Sequence, residues 1–110
     1  MKIINLTPHA LNIYDSAKEL VETVEPSGMV ARAETARHLV EKVGHIELYE
    51  TVFTGARELG EPEPGSVFVV SSIYLQALRA RGLSSNGVYV PGEAIRDDAG
   101  RVVGCIGLSR

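Results

Sequence analysis

Three arginines near turns are the residues of this sequence best suited to binding a ligand. Arg32 follows the turn sequence Pro26-Ser27-Gly28, and Arg96 and Arg101 flank the turn sequence Asp98-Ala99-Gly100. A guanidinium group suits bidentate recognition of phosphate oxygens and also stacks on nucleobases. An isolated arginine on a strand is more often simply exposed, so these residues indicate an anion site only if the fold brings them together.

A second feature suited to anions is the junction between a strand and a helix. Residues 67–70 form an apolar run typical of a buried strand, and Ser71 and Ser72 offer hydroxyl groups that cap a helix. The helix is predicted over about residues 72–81 and ends at Gly82. The first N–H groups of a helix have no intrahelical partners and are a common binding site for small anions.

Tyr74, in the first turn of the predicted helix, could stack on a nucleobase, although a half-buried packing role is the commoner one for a tyrosine. Several arginines and a capped helix end, without a catalytic constellation, favour binding over turnover. The predicted ligand-binding residues are Arg32, Ser72, Tyr74, Arg96 and Arg101.

Nucleophilic catalysis has weaker support. A small hydrolase would use Cys105 as nucleophile with His9 or His38 as base, but Cys105 lies in an apolar segment where a buried, inert thiol is the commoner outcome. The serines before the helix lack the G-x-S-x-G setting of a nucleophile elbow, and no metal spacing or phosphate-loop signature is present. We therefore expect a protein that is not an enzyme, with no metal and no cofactor.

Size and composition indicate one globular domain over residues 1–110, with 45% hydrophobic and 23% charged residues. The net charge of −3 disfavours nonspecific binding to DNA, RNA or anionic membranes, and no apolar run approaches the roughly 20 residues that span a bilayer. The N-terminus lacks the apolar core of a signal peptide and the single cysteine fits a reducing compartment, so we expect a cytoplasmic protein. A domain this small gains buried surface by forming a homo-oligomer.

The predicted fold class is α+β, with a mostly antiparallel sheet and one α-helix. Residues 2–6 and 11–14 are predicted to form an N-terminal hairpin. Residues 29–43 carry both helical and strand spacing; we favour a long strand that pairs with residues 46–53 across Gly44-His45.

Three further local expectations follow from the pattern of the chain. A phase shift at Thr51-Val52 indicates a bulge, and residues 54–64 are expected to be a loop or a loosely paired edge. Residues 88–90 form a strand that stops at Pro91-Gly92. The sequence Asp98-Ala99-Gly100 is the clearest hairpin turn.

Several short motifs resemble a family of small phage proteins, the Thoeris anti-defence sponge proteins. They are Ile4-Asn5-Leu6-Thr7-Pro8-His9, Pro26-Ser27-Gly28 with Ala31-Arg32, Val69-Val70-Ser71, and Pro91-Gly92 with Arg96-Asp97 and Gly100. The resemblance implies a non-catalytic protein in the host-cell cytoplasm that sequesters cyclic ADP-ribose signals, or small cyclic oligonucleotides. It also implies a hexamer built from dimers, with ligand at subunit interfaces and arginines on the phosphates. The alternatives are a phage structural or assembly protein without a small-molecule ligand, and a small hydrolase using Cys105.

Overall fold

The structure, a computed structural model, describes residues 2–56 and 59–110, which form eight β-strands and one α-helix. In chain order these are β1 (Lys2–Asn5), β2 (Leu11–Tyr14), β3 (Leu20–Val24), β4 (Ala33–Val43), β5 (Ile46–Ala56), β6 (Ser66–Val69), α1 (Ser72–Ala80), β7 (Val88–Arg96) and β8 (Val102–Ser109). The predicted α+β class with one helix is confirmed. Within the described residues, no helix is long and apolar enough to cross a membrane.

Six of the strands form one sheet in the order β1-β6-β7-β8-β2-β3. The pairs β1–β6, β6–β7 and β2–β8 are parallel, whereas β2–β3 and β7–β8 are antiparallel. The two ends of this sheet also meet, because the backbone N–H of Ser27 donates to the carbonyl oxygen of Asn5 at 2.9 Å, next to a parallel bridge between Asn5 and Pro26. The sheet is therefore curled into a nearly closed barrel, which protects its edge strands.

Helix α1 connects two parallel neighbours, β6 and β7, as a helical crossover does. It packs one side of the barrel through a cluster of buried apolar residues: Leu6, Val70, Tyr74, Leu75, Leu78 and Val88. A second buried cluster contains Leu11, Ile13, Val69 and Cys105. The two clusters meet at the end of β6, because Val69, its last residue, belongs to one and Val70, the next residue, to the other.

The predicted N-terminal hairpin is wrong. Strand β1 pairs with β6, and β2 pairs with β3 and β8, so β1 and β2 are not neighbours. The chain between them is turned by the buried Asn5, whose Oδ1 accepts hydrogen bonds from the N–H and Oγ1 of Thr7 and whose Nδ2 donates to the carbonyl oxygen of His9. These bonds fold the connection back on Asn5, so that β2 lies between β8 and β3 and not next to β1.

The predicted strand stop at Pro91-Gly92 is also wrong, since β7 continues to Arg96. The carbonyl oxygen of Tyr89 faces the side of β6, where it accepts from the N–H of Val70, the residue directly after that strand. Because alternate residues of a strand face the same neighbour, the nitrogen of Pro91 also faces that side. Strand β6 has already ended there at Val69, so the N–H that proline lacks is not needed.

Strands β4 and β5 form a separate antiparallel ribbon, here called the arm. It confirms the strand preference for residues 29–43, with the strand starting later, at Ala33, because the N–H of Ala31 is bonded to the carbonyl oxygen of Leu6. The turn at Gly44-His45 is as predicted.

Two details of the arm correct the sequence-based expectations. The register shifts at Val40 and Thr54, and not at Thr51-Val52. Strand β5 continues to Ala56, so the first residues of the predicted 54–64 loop belong to the arm, while residues 57 and 58 lie outside the described chain. Arg81 joins the base of the arm to the end of the helix by donating from Nη1 to the carbonyl oxygen of Thr54 at 3.4 Å.

Candidate functional site

Arg32 lies beside the N-terminus of helix α1, where two adjoining clefts share it as a lining residue. One cleft has a volume of about 260 Å³ and includes Pro8, Ser71 and Ile73; the other has about 160 Å³ and reaches Leu59. The side chain of Arg32 is exposed and makes no hydrogen bond or ion pair with the other described residues. Its guanidinium group is therefore available to an anion in either cleft.

The helix N-terminus supplies further donors at the same place. Ser71 is the N-cap, and its Oγ accepts a hydrogen bond from the N–H of Tyr74 at 3.2 Å. The N–H groups of Ser72 and Ile73, which follow the cap, donate to no other group among the described residues. The positive end of the helix dipole adds to their attraction for anions. The sequence-based assignment of Ser72 is thus refined: the cap is Ser71, and it is Ser71, not Ser72, that lines the larger cleft beside Arg32.

The stacking role predicted for Tyr74 does not fit its position. The side chain is fully buried in the core beneath the smaller cleft, so its ring presents no face to a base. Conversely, the neighbouring apolar residue Ile73 is 55% exposed and lines the larger cleft. The helical spacing of Tyr74, Ala77 and Leu78 is the sequence signal that could have identified the buried face.

Arg96 and Arg101 do not join Arg32. Both lie at the hairpin between β7 and β8, and neither lines the clefts beside Arg32. Arg96 donates from Nη1 to the carbonyl oxygen of Gly100 at 2.8 Å, which ties it to its own turn. Asp97 stabilises that turn through Oδ1, which accepts the N–H groups of Ala99 and Arg101 at 2.9 Å each. Within one subunit, the three arginines therefore do not form a single site.

A larger cleft, about 570 Å³, lies elsewhere on the barrel and is lined by His9, Asn12, Pro91, Gly92, Gly104 and Cys105 among others. Both His9 and Cys105 line this cleft, whereas His38, the other base considered for a hydrolase, lies on the arm. Cys105 is only 4% exposed, and no hydrogen bond joins its thiol to His9 within the described chain. Nucleophile and base share a cleft here without the contact that activates a thiol.

No group of three or more potential metal ligands is present among the described His, Cys, Asp and Glu residues.

Comparison with known proteins identifies no relative. No protein-family model, curated protein or solved structure matches this chain. A functional hypothesis therefore depends on the site geometry beside Arg32 and on the resemblance of the short motifs.

Proposed function

We propose that this protein binds a small cyclic nucleotide-like signal, of the cyclic ADP-ribose or cyclic oligonucleotide class, and sequesters it without cleaving it. The motif resemblance to the Thoeris anti-defence sponge proteins supports this ligand class. In this role the protein acts in the cytoplasm of the host cell, where depleting the messenger is enough to silence the defence pathway.

The observation that carries the proposal is that Arg32 shares a cleft with Ser71 and Ile73 at the start of helix α1, where the N–H groups of Ser72 and Ile73 have no acceptor among the described residues. A guanidinium group and a helix N-terminus at one cleft can share the oxygens of a phosphate or pyrophosphate. Pro8 and the exposed Ile73 supply apolar walls for a base or ribose. The two adjoining clefts together fall within the roughly 300–1,000 Å³ typical of small-molecule sites.

Binding is tested by calorimetry with cyclic ADP-ribose and with a cyclic dinucleotide as separate probes. Replacing Arg32 by Ala removes the phosphate contact and should weaken binding by about 1.5–3 kcal/mol. Arg79→Ala is the matched control, because Arg79 is an exposed arginine in the last turn of the same helix. Equal affinities of parent and Arg32→Ala would remove Arg32 from the site.

The fate of the ligand tests sequestration against turnover. After incubation and heat denaturation, the ligand recovered from the protein should have its original mass. Recovery of a hydrolysed product would overturn the non-catalytic part of the proposal and direct attention to the His9–Cys105 cleft.

A structural or assembly protein without a small-molecule ligand is the second candidate. The exposed arm favours it, because long β-ribbons with apolar side chains are suited to contacts between subunits. Thermal-shift measurements separate the two, since a ligand that binds only the folded state raises its melting temperature. A melting temperature unmoved by both probes would favour assembly.

A further inference from the structure

The arm carries more exposed large apolar residues than any other element of the described chain. Six of its large apolar residues are between 41% and 64% exposed: Leu39, Val40, Val43, Ile46, Leu48 and Tyr49. A two-stranded ribbon is at best marginally stable in water, because neither of its faces has a layer packed against it. The strands of the arm are the longest in the chain, at 11 residues each, so this surface is large.

The two faces of the arm differ, as the strand register shows. Residues paired across the strands lie on the same face, and alternate residues of β5 lie on opposite faces. The inner face begins with Ala33 and Ala56, which pack against the core at the base of the arm. Farther out, Tyr49 on this face is partly covered by its own neighbours: the Arg37 guanidinium lies 3.9 Å from the ring centroid, and the phenol donates to Glu47.

The outer face has no such cover. Val43, Ile46 and Leu48 lie near its tip, and the pair Ala36 and Val52 lies near its base. Between them, the face carries the polar residues Glu41, His38 and Glu50. Of these residues only Val52, at the base, is partly buried, and the others are exposed, so the face is open to an approaching partner.

The solvent-exposed area of the molecule indicates how much surface is available to a partner. An average monomer of 11.9 kDa exposes roughly 6,000 Å², whereas this chain exposes 7494 Å². Its radius of gyration is 16.5 Å, compared with about 13 Å for a compact domain of this length. The excess of roughly 1,500 Å² is more than the roughly 800 Å² that each partner buries in a standard stable interface.

The outer face complements itself. If two arms pack face to face and antiparallel, with a two-fold axis across them, the tip of each lies over the base of the other. Val43 then meets the second copy's Ala36, and Ile46 meets the second copy's Val52. Between these apolar contacts, Glu41 lies over the second copy's His38, whose ring N–H can donate a hydrogen bond to the carboxylate. Leu48 meets the methylene groups of the second copy's Glu50.

We propose that the outer face of the arm is the interface with a second copy of this chain, in this antiparallel arrangement. Two-fold interfaces are the commonest in homo-oligomers, and a self-complementary patch is what such symmetry requires. This inference concerns a face of the arm that does not include Arg32, and it does not depend on ligand binding.

The first test measures association by sedimentation velocity over a range of concentrations. The parent should form dimers or larger assemblies built from them, and Ile46→Glu should raise the dissociation constant by at least about tenfold by burying a charge in the interface. Leu39→Glu is the matched control, because Leu39 is a similarly exposed apolar residue that pairs with Tyr49 on the inner face. A parent that stays monomeric at about 100 µM, or equal effects of the two substitutions, would overturn the proposal.

The second test addresses the antiparallel arrangement by cross-linking introduced cysteines. The double variant Ala36→Cys with Val43→Cys should give a covalent dimer with a bis-maleimide reagent that spans about 10 Å, because each new cysteine faces the other one in the second copy across ribbons packed roughly 10 Å apart. Within one chain the two positions are about 24 Å apart along β4, too far for this reagent to join. Each single variant should remain uncross-linked, and Cys105 is buried. Efficient cross-linking of a single variant, or none of the double variant, would exclude this arrangement.

Discussion

The side-chain amide of Asn5 donates a hydrogen bond to the carbonyl oxygen of Val24 at 3.2 Å, across the two ends of the curled sheet. Asn5 is 1% exposed and sits at the end of β1, whereas Val24 ends β3. The same amide group holds the carbonyl oxygen of His9 at 2.8 Å, and its oxygen accepts two hydrogen bonds from Thr7. One buried side chain thus closes the barrel and shapes the first connection of the chain.

Replacing Asn5 by Ala should lower the free energy of unfolding by about 2–3 kcal/mol, because it leaves buried donors and acceptors without partners. The urea midpoint measures this change. Asn86→Ala is the control, since Asn86 is exposed and its amide reaches only Glu61. Equal midpoints of the two variants would show that Asn5 is dispensable for closure.

The two serines before the helix should differ in their contribution to stability. Ser71→Ala removes the hydroxyl that accepts the N–H of Tyr74 and should cost about 0.5–2 kcal/mol. Ser72→Ala changes an exposed residue inside the helix and should be within about 0.5 kcal/mol of the parent. Thermal unfolding of both variants measures the difference, and a larger loss for Ser72→Ala would contradict the assignment of Ser71 as the cap.

Gly92 lies where β7 and β8 approach too closely for a side chain. A Cβ atom there would collide with the carbonyl oxygen of Ile106 and lie 2.8 Å from that of Gly107. We expect Gly92→Ala to destabilise the fold by about 2 kcal/mol or more. In Gly55→Ala the new methyl group meets only the flexible end of Glu34, at 3.0 Å, so this control should unfold close to the parent in the same urea titration.

The phenol of Tyr49 has two charged neighbours with opposite effects on its ionisation. The hydrogen bond to the Glu47 carboxylate, with some desolvation, raises the pKa of Tyr49 above its usual value near 10, while the Arg37 guanidinium acts to lower it. Because the folded pKa is the higher one, any stability from this contact is present below pH about 10 and is lost as the pH rises through the folded pKa.

The pKa of Tyr49 should therefore fall in Glu47→Ala and rise in Arg37→Ala. Titration of a ¹³C-labelled tyrosine signal by NMR measures it, with Tyr49→Phe used to assign the signal. A shift in the same direction in both variants would contradict the opposing roles of the two neighbours.

The thiol of Cys105 should behave as a core group. Cys105→Ser places a hydroxyl in an apolar cluster and should destabilise the protein by about 1–3 kcal/mol without changing ligand binding. Iodoacetamide should label the parent slowly under native conditions and rapidly in denaturant. Fast native labelling, or a hydrolytic activity lost in Cys105→Ser, would instead support the hydrolase alternative.

Local signals predicted the centre of the fold well. The apolar run at 67–70, the serines after it and Gly82 gave a strand and a helix close to the observed β6 and α1. The N-terminal hairpin was wrong because its two strands take their partners from residues far along the chain, such as Val67 opposite Ile3 and Cys105 opposite Ile13. No local pattern in residues 2–14 encodes those partners.

For the candidate site, the sequence by itself determined which groups could recognise an anion, because a guanidinium group and a helix N-terminus keep that property wherever they lie. Only the tertiary structure decided which of them meet. In the folded chain Arg32 lies beside the N-terminus of α1, whereas Arg96 is bonded to its own turn. Tyr74 is buried and Ile73 is exposed. The physical reason is the sequence separation of the interacting residues. Caps and turns involve residues a few positions apart, whereas burial and strand pairing depend on contacts between distant parts of the chain.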